Sequence, residues 1–185
     1  MSAQSVDARL NVRRAVIGDA AGISHVHVEA WRSAYAGLLP APLLANLDVE
    51  RRLTYWTHEL ESSRSTNNAA WILEQDGRVV GFANFGPCRD ADRQAPGDRE
   101  LYAIYLLDSQ WGRGHGRALA TEAFAGLPDE ATSVSLWVLA GNERAIRFYR
   151  SLGFEFDGTV RHEVLGGIEV VERRYVRVLP LRPPR

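Results

Sequence analysis

The sequence predicts a domain of the α/β class, in which helices cover both faces of a mixed β-sheet. Strand-like and helical segments alternate along the chain, Asp76-Gly77 joins two strand-like segments as a β-hairpin turn does, and a helical segment links two central strands. A hairpin pairs its strands antiparallel, whereas a strand–helix–strand connection pairs them in parallel. The sheet is therefore expected to contain both kinds of pairing.

The first third of the chain is predicted to form one short strand and two helices. Val12 to Val16 is the strand, and Asp19 is placed to cap a helix whose apolar residues recur at helical spacing. The segment Tyr35 to Pro40 ends this helix. A second helix is predicted from about Pro42 to Leu60, followed by a polar loop from Ser62 to Asn68.

Strands and helices alternate in the rest of the chain. The predicted strands are Ala70–Glu74, Arg78–Phe85, Glu100–Leu107, Ser133–Leu139, Phe154–Arg161 and Ile168–Leu179. The predicted helices are Arg117–Phe124 and Asn142–Leu152. Because the first of these helices joins Glu100–Leu107 to Ser133–Leu139, these two strands are expected to be parallel.

Length and composition indicate one globular domain. The chain has 185 residues, so residues 1–185 are predicted to form a single domain with its core at about 12–179 and flexible termini. A formal net charge of −1 argues against nucleic acid or an anionic membrane as a partner. No apolar run is long enough to span a bilayer, and the single cysteine, Cys88, fits a reducing compartment. A cytoplasmic location is expected.

A glycine-rich turn follows the central strand. Glycines at positions 112, 114 and 116 leave backbone N–H groups open where the next helix presents its unpaired donors and the positive end of its dipole. This arrangement suits a phosphate or pyrophosphate, and Arg113 and Arg117 add positive charge. The Walker loop is excluded because Arg117-Ala118 replaces its lysine and hydroxyl residue, and no third glycine completes a dinucleotide fingerprint.

Two motifs in the second half of the chain together carry a family resemblance. They are Trp111-Gly112-Arg113-Gly114-His115-Gly116 and an Asn-x-x-Ala-x-x-Phe-Tyr-x-x-x-Gly-Phe frame from Asn142 to Phe154. The first resembles the acetyl-CoA pyrophosphate loop, Gln/Arg-x-x-Gly-x-Gly/Ala, of GNAT-superfamily N-acetyltransferases, and the second resembles another signature of that superfamily. Trp111 departs from the usual glutamine or arginine, and Asp108 from the usual proline.

The resemblance implies a GNAT-like α+β fold with a mostly antiparallel mixed sheet of six to seven strands. One parallel pair is splayed in that fold and binds coenzyme A, so acetyl-CoA is the implied cofactor and coenzyme A a product. Backbone groups of Ile104, Tyr105 and Leu106 are then expected to pair with the pantetheine arm, although the side chains of Ile104 and Leu106 suit core packing. Asn142 is expected to contact the arm, to cap its helix, or to do both. The pyrophosphate is expected at Gly112, Arg113, Gly114, His115, Gly116 and Arg117, although His115 can equally be an incidental exposed residue.

Two residues are implied in catalysis. Similar enzymes place a tyrosine near the thioester sulfur at the position of Tyr149, which is expected to protonate the departing thiolate; the alternative is a core tyrosine. Glu100 matches the glutamate that histone-acetylating relatives use as a base, and the alternative is a solvated charge at a strand end. The glutamate that ribosomal-protein N-terminal acetyltransferases use is replaced here by Trp137.

The acceptor side is less defined. Trp31 and Tyr35 occupy a region that borders the amine pocket in similar enzymes, so they are candidate substrate-binding residues; core packing is the alternative. The loop from Pro87 to Arg99 is a candidate lid for the same pocket. No metal is predicted, because the histidines lack partners at ligand spacing.

The predicted function is transfer of an acetyl group from acetyl-CoA to a primary amine of a small molecule, peptide or protein, by direct attack in a ternary complex. The alternative is a non-catalytic acyl-CoA-binding sensor or interaction module on the same fold. A homodimer through the C-terminal strands is a further expectation.

Overall fold

The computed structural model describes residues 10–180, which form a seven-stranded sheet and five α-helices. The strands are β1 (Leu10–Arg14), β2 (Ala69–Gln75), β3 (Arg78–Pro87), β4 (Asp98–Leu106), β5 (Ser133–Leu139), β6 (Glu155–Leu165) and β7 (Ile168–Val178). The helices are α1 (Ala20–Ala34), α2 (Ala41–Ala45), α3 (Val49–Thr66), α4 (His115–Ala125) and α5 (Glu143–Ser151). The termini that were expected to be flexible lie outside the described residues.

The sheet is mixed, as the sequence predicts. Its strand order is β1-β2-β3-β4-β5-β7-β6, and every neighbouring pair is antiparallel except β4–β5, which is parallel. The Asp76-Gly77 hairpin forms between β2 and β3, and the predicted bounds of β5 are confirmed. The sheet therefore has the six to seven strands and the one parallel pair that the family resemblance implies.

Alternation along β2 divides the core between the two faces of the sheet. Trp71 and Leu73 pack in the same apolar cluster as Leu119 and Ala123 of α4, whereas Ile72 packs with buried residues of α1 and α3. Fully burying a large apolar side chain contributes roughly 1.5–3 kcal/mol, so both layers stabilise the sheet. Helices therefore cover both faces, as expected.

Several predicted element bounds in the N-terminal region are wrong. The predicted second helix is two helices, because Asp48 accepts hydrogen bonds from the backbone N–H groups of Glu50 and Arg51 and starts α3 as a new N-cap. The predicted polar loop is helical through Thr66, with the hydroxyl of Ser62 donating to the carbonyl of His58. Asp19 lies at the start of α1 but its side chain does not cap that helix; it accepts a hydrogen bond from the Val16 N–H, in the short 3-10 turn before α1, and pairs with Arg13.

The parallel pair is short and its strands then diverge. β4 pairs with β5 only from Asp98 to Glu100, whereas its pairing with β3 continues to Leu106. Beyond Ser135, β5 is paired on its other side with β7 as far as Leu139. The two central strands therefore separate toward their C-terminal ends and leave a gap between them.

The loop between β3 and β4, the candidate lid, is fastened to the sheet, and its role as a lid stays a prediction. The buried guanidinium of Arg174 pairs with Asp90 and Asp92 of this loop and with Asp157 of β6. The indole Nε1 of Trp137 also donates to the carboxylate of Asp90, at 3.1 and 3.2 Å. These charge-assisted bonds fix the loop as a wall.

Strand β6 forms one edge of the sheet and carries exposed apolar side chains at Phe156, Val160 and Val164. A homodimer through the C-terminal strands stays a prediction. No helix within residues 10–180 is both long enough and apolar enough to cross a membrane.

Candidate active site

The glycine turn leaves the start of α4 open. Gly112 and Gly114 have φ values of 71° and 80°, in the left-handed region that glycine adopts without strain, and a side-chain Cβ at either position would face open space. No side chain caps α4 among the described residues, whereas Asn142 caps α5. The first amides of α4 therefore remain available as donors.

A cavity of about 370 Å³ lies beside this turn and the separated strands. Its lining includes the predicted Ile104, Tyr105, Leu106, Gly112, Gly114, Gly116, Arg117 and Tyr149. Arg113 and His115 are absent from it; the His115 Nδ1 is 2.7 Å from the Gln110 Oε1, so its side chain is held by the turn and is half-buried. The exposed side chain of Arg113 and the half-buried side chain of His115 both stay predicted phosphate contacts.

Trp111, which replaces the polar residue usual in the family loop, has two partners. Its indole Nε1 donates to the Leu106 carbonyl at 3.1 Å, and the guanidinium carbon of Arg144 lies 3.1 Å from its ring centroid. Burial lowers the pKa of Arg144. Because one lone pair of the Leu106 carbonyl is used by Trp111, Ile104 has the less encumbered backbone on the edge of β4 that faces away from β3. Alternation places the Tyr105 backbone on the opposite edge, where the Leu107 N–H donates to the Val80 carbonyl of β3, so the expected pairing of Tyr105 with the pantetheine arm does not fit this register.

Tyr149 lies on α5 and reaches the gap between the strands. Its ring packs against Phe148 and Phe154, with centroids 5.6 and 6.0 Å away. The side chain lines both the large cavity and a smaller one of about 70 Å³. Burial raises the pKa of the Tyr149 phenol, which therefore remains protonated across the ordinary pH range.

The small cavity, called the passage below, shares lining residues with the large cavity and with a third one. Asn142 and Tyr149 line it, together with Tyr35 and Tyr105. Asn142 is buried, and its Oδ1 accepts a hydrogen bond from the Ala145 N–H at 3.1 Å. Its predicted capping role is confirmed, and its contact with a cofactor arm stays a prediction.

The third cavity, of about 150 Å³, is called the aromatic cavity below. Trp31 and Tyr35, the predicted substrate-binding residues, both line it, with ring centroids 5.0 Å apart. Its other lining residues are Leu39, Arg89, Glu100, Leu101, Tyr102, Tyr105, Trp137, Leu139, Arg161, Leu165 and Glu172.

Tyrosine hydroxyls lie where the passage opens into the aromatic cavity. The hydroxyl oxygens of Tyr35 and Tyr105 are 2.9 Å apart, and burial raises the pKa of both phenols. Tyr105 lines all three cavities. The geometry thus brings Tyr149, Tyr105 and Tyr35 into one region between two larger spaces.

Glu100 lies on the wall of the aromatic cavity and is only 2% exposed, so the alternative of a solvated strand-end charge is wrong. Its carboxylate accepts three hydrogen bonds from Arg89: from the backbone N–H at 3.0 Å, from Nε at 3.1 Å and from Nη2 at 2.5 Å. The Arg89 guanidinium also lies 4.1 Å from the centroid of the Tyr102 ring. Burial of Glu100 is thus compensated by three donors from one residue.

The description "Acetyltransferase (GNAT) family" belongs to a family model that matches residues 29–154, more than half of the chain. The chain belongs to the GNAT family. It is therefore an acyltransferase of the N-acetyltransferase type. Among residues 10–180 of this acetyltransferase, no group of three or more histidine, cysteine or acidic side chains is arranged to hold a metal ion.

Individual relatives agree with this assignment. The chain is 34% identical over 158 residues to the N-acetyltransferase YuaI of Bacillus subtilis, covering 85% of this chain and 87% of that protein. The PaiA N-acetyltransferase of Thermoplasma acidophilum, solved in complex with coenzyme A, superposes with a TM-score of 0.73 at 19% identity over 92% of this chain and 99% of its own. The acetyltransferase yncA of Salmonella typhimurium, solved with acetyl-CoA, gives a TM-score of 0.65 at 22% identity over 95% and 96%. At these identities the two structures show a shared fold.

Sequence reasoning missed four residues of the acetyltransferase's aromatic cavity: Arg89, Tyr102, Arg161 and Glu172. The sequence contains a signal for one pair. In a hairpin, the residues that face each other can be found by counting outward from the Gly166-Gly167 turn along the two strands. Arg161 and Glu172 are opposite each other in that register, with the Arg161 Nη2 2.7 Å from the Glu172 Oε2. No comparable signal places Arg89, whose position depends on the path of its loop.

Proposed function

We propose that this protein is an acetyl-CoA-dependent N-acetyltransferase that acetylates a primary amine by direct attack in a ternary complex. The observation that carries the proposal is that the cavity at the glycine turn, the passage and the aromatic cavity share lining residues, with Tyr149 on the first two and Tyr105 on all three. Donor and acceptor can then occupy the two outer cavities and meet at the passage. A group held in such a position reacts at a high effective concentration.

The residues of the large cavity fit the donor. Open amides at the start of α4 and the side chain of Arg117 suit a pyrophosphate. Along β4, the edge that faces away from β3 beyond Glu100 is free of β5 and can pair with the amide groups of a pantetheine arm. PaiA and yncA, which share the fold, were solved with coenzyme A and acetyl-CoA respectively.

Transfer forms a bond between the amine nitrogen and the acetyl carbon and breaks the bond from that carbon to sulfur. Tyr149 donates its phenolic proton to the departing thiolate, because its hydroxyl is protonated and lies at the passage. Glu100 removes the proton that the amine must lose, directly or through water, and the two groups exchange protons with solvent before the next turnover. Direct transfer is favoured because Cys88 is buried against the Ser135 hydroxyl and lines none of the three cavities.

A thiol-release assay with acetyl-CoA and a panel of primary amines tests the proposal. The expected result is amine-dependent release of coenzyme A together with the acetylated amine identified by mass spectrometry. Tight binding of coenzyme A without turnover of any amine would instead support the non-catalytic sensor. Titration of coenzyme A by calorimetry on the same protein separates these outcomes.

A further inference from the structure

The aromatic cavity contains two arginine–glutamate pairs that have the same orientation. In the pair Arg89–Glu100 the side chains are 63% and 3% exposed, and in the pair Arg161–Glu172 they are 38% and 16% exposed. In both pairs the carboxylate lies inside and the guanidinium lies toward solvent. The cavity is therefore acidic at its inner end and basic at its rim.

Both guanidiniums are also supported by aromatic rings, independently of their carboxylates. Arg89 lies 4.1 Å from the centroid of Tyr102, and Arg161 lies 4.3 Å from that of Trp137. Such cation–π contacts retain a cation in place when its carboxylate partner is shared with another group. The two guanidiniums can therefore stay at the rim when a ligand binds.

Charge balance restricts what can bind here. The four groups of the two pairs sum to zero, so a ligand with only positive charge would leave two guanidiniums without full compensation. A zwitterion avoids this cost, because its ammonium group can be received by Glu100 or Glu172 and its anionic group by Arg89 or Arg161. Of the two inner carboxylates, Glu172 lies near the passage, since after burial, Tyr105 and Tyr149 its charge also raises the pKa of the Tyr35 phenol.

The walls of the cavity indicate a small ligand. The space of about 150 Å³ is enclosed by residues from six separate parts of the chain: α1 and the segment after it, the β3–β4 loop, β4, β5, β6 and β7. The loop wall is held by Arg174, so it does not swing open without breaking buried ion pairs. The ring faces of Trp31, Tyr35 and Trp137 offer apolar contact for a side chain.

From these observations we propose that the acceptor is a small zwitterionic amine of amino-acid size, bound with its amine inward and its carboxylate on the arginines of the rim. This inference rests on the proposed acetyltransferase function and names the class of its acceptor. Polyamines and amines without an anionic group are then poor acceptors.

The test compares matched acceptors that differ only in the anionic group. A set of α-amino acids with aliphatic, aromatic and polar side chains is assayed as the free acid, the carboxamide and the decarboxylated amine, with spermidine added. For at least one side chain, kcat/KM of the free acid is expected to exceed that of the carboxamide by about tenfold or more, which corresponds to one charge-assisted interaction. The carboxamide is the more easily deprotonated amine, so this comparison is biased against the proposal.

The variant Arg161→Gln identifies the source of the preference. Its ratio of acid to carboxamide is expected to fall to within about threefold, because the acid loses more kcat/KM than the carboxamide. Arg161→Lys, which keeps the charge, should retain much of the ratio. The thermal shift caused by coenzyme A serves as the control for folding, because Arg161 lies outside the large cavity.

Each outcome decides between the two claims. Faster turnover of carboxamides, decarboxylated amines or spermidine overturns the zwitterion proposal and leaves the acetyltransferase function intact. An equal loss for acid and carboxamide in Arg161→Gln shows that Arg161 does not bind the anionic group, which also overturns it. Absence of turnover with every amine, with coenzyme A still bound, contradicts the proposed function itself.

Discussion

Arg89 donates three hydrogen bonds to the carboxylate of Glu100, two from its side chain and one from its own backbone N–H. A carboxylate held this way has a fixed direction, and both of its oxygens are partly occupied. Glu100 also faces the aromatic cavity. A proton that it takes from an amine must therefore go to an oxygen that already accepts a hydrogen bond from Arg89.

Replacing Glu100 with glutamine tests the role of this carboxylate. Glu100→Gln is expected to lower kcat by about 10²–10⁴-fold, because the amide cannot take up the proton. Steady-state kinetics from pH 6 to pH 9 measure the loss. Glu130→Gln, which removes an exposed carboxylate paired with Arg99, is the matched control and should behave as wild type. A Glu100→Gln profile that overlays the wild type would remove Glu100 from the mechanism.

Loss of the Tyr149 hydroxyl should slow the acetyl-transfer step and leave the affinity for acetyl-CoA unchanged. Tyr149→Phe is expected to reduce kcat by about 10²–10⁴-fold, because the thiolate then leaves without its proton donor. The dissociation constant of acetyl-CoA, measured by calorimetry, should stay within about twofold, since the ring contacts with Phe148 and Phe154 remain.

Tyr175→Phe is the control for Tyr149→Phe. The Tyr175 hydroxyl is buried without a hydrogen-bond partner among the described residues and lines none of the three cavities, so its removal should leave kcat unchanged. Equal turnover of the two variants at saturating substrates would contradict the proton-donor role.

Glycine at position 114 is expected to matter for donor binding as well as for backbone strain. Gly114→Ala places a side chain on a residue with φ of 80°, which costs about 1–2 kcal/mol of stability, and directs a methyl group into the space expected for the pyrophosphate. Gly167→Ala imposes similar strain at φ of 83° and also meets no neighbouring atom, but it lies in the β6–β7 turn.

Thermal unfolding and coenzyme A titration separate the two effects. Both variants should lose comparable stability, and only Gly114→Ala should weaken coenzyme A binding, by about tenfold or more. Similar affinities in the two variants would show that the turn does not hold the phosphates.

Protein stability should fall in mild acid because of a buried histidine. Burial lowers the pKa of His27 to about 3, from a usual value of 6.5, with a smaller contribution from Arg52; its Nδ1 accepts a hydrogen bond from the Trp56 indole. Below pH 6.5 the unfolded chain therefore binds a proton that the folded protein excludes, so this stability is present above pH 6.5 and is lost as the pH falls. The slope approaches about 1.4 kcal/mol per pH unit.

Urea unfolding at pH 7.0, 6.0 and 5.0 measures this dependence. His27→Asn, which keeps an acceptor near Trp56, should be less stable at pH 7.0 and show a shallower slope. His25→Asn, on the exposed side of the same helix, should keep the wild-type slope. A wild-type slope in His27→Asn would assign the pH dependence to other groups.

Arg174 is expected to affect binding of the acceptor indirectly, through the β3–β4 loop. Arg174→Met leaves Asp90, Asp92 and Asp157 without their shared partner, which should lower stability and loosen the β3–β4 loop. KM for the acceptor should rise while the affinity for coenzyme A is retained. Arg173→Met is the control, because its guanidinium faces Phe156 instead of the loop. Parallel changes in both substrates' constants would indicate general unfolding.

The donor side could be predicted from the sequence because it is local and relies on backbone. The glycine turn and the helix that starts at His115 are contiguous, and glycine spacing is enough to recognise an open helix start. The Asn142 cap and the position of Tyr149 follow from the helical frame between Asn142 and Phe154. The extension of α3 to Thr66 was missed because polar side chains there bond to the helix's own carbonyls, which composition alone does not distinguish from a loop.

The acceptor side could be predicted only in part, because distant segments build it. Trp31 and Tyr35 were found through their place between two helices, and both line the aromatic cavity. The partner of Glu100 was not found, since Arg89 reaches it by a loop path that depends on the buried ion pairs of Arg174. Pairing of side chains through such a loop depends on the tertiary fold and leaves no periodic pattern in the sequence.

Tyr105 lines the large cavity, the passage and the aromatic cavity, so one ring contacts the spaces proposed for both substrates. A shift of this ring when one substrate binds changes the surface offered to the other, and the two binding free energies are then coupled. Thermodynamic reciprocity requires that the factor by which the donor alters acceptor affinity equals the factor by which the acceptor alters donor affinity. Affinity of either ligand measured alone therefore differs from its affinity in the ternary complex by this common factor.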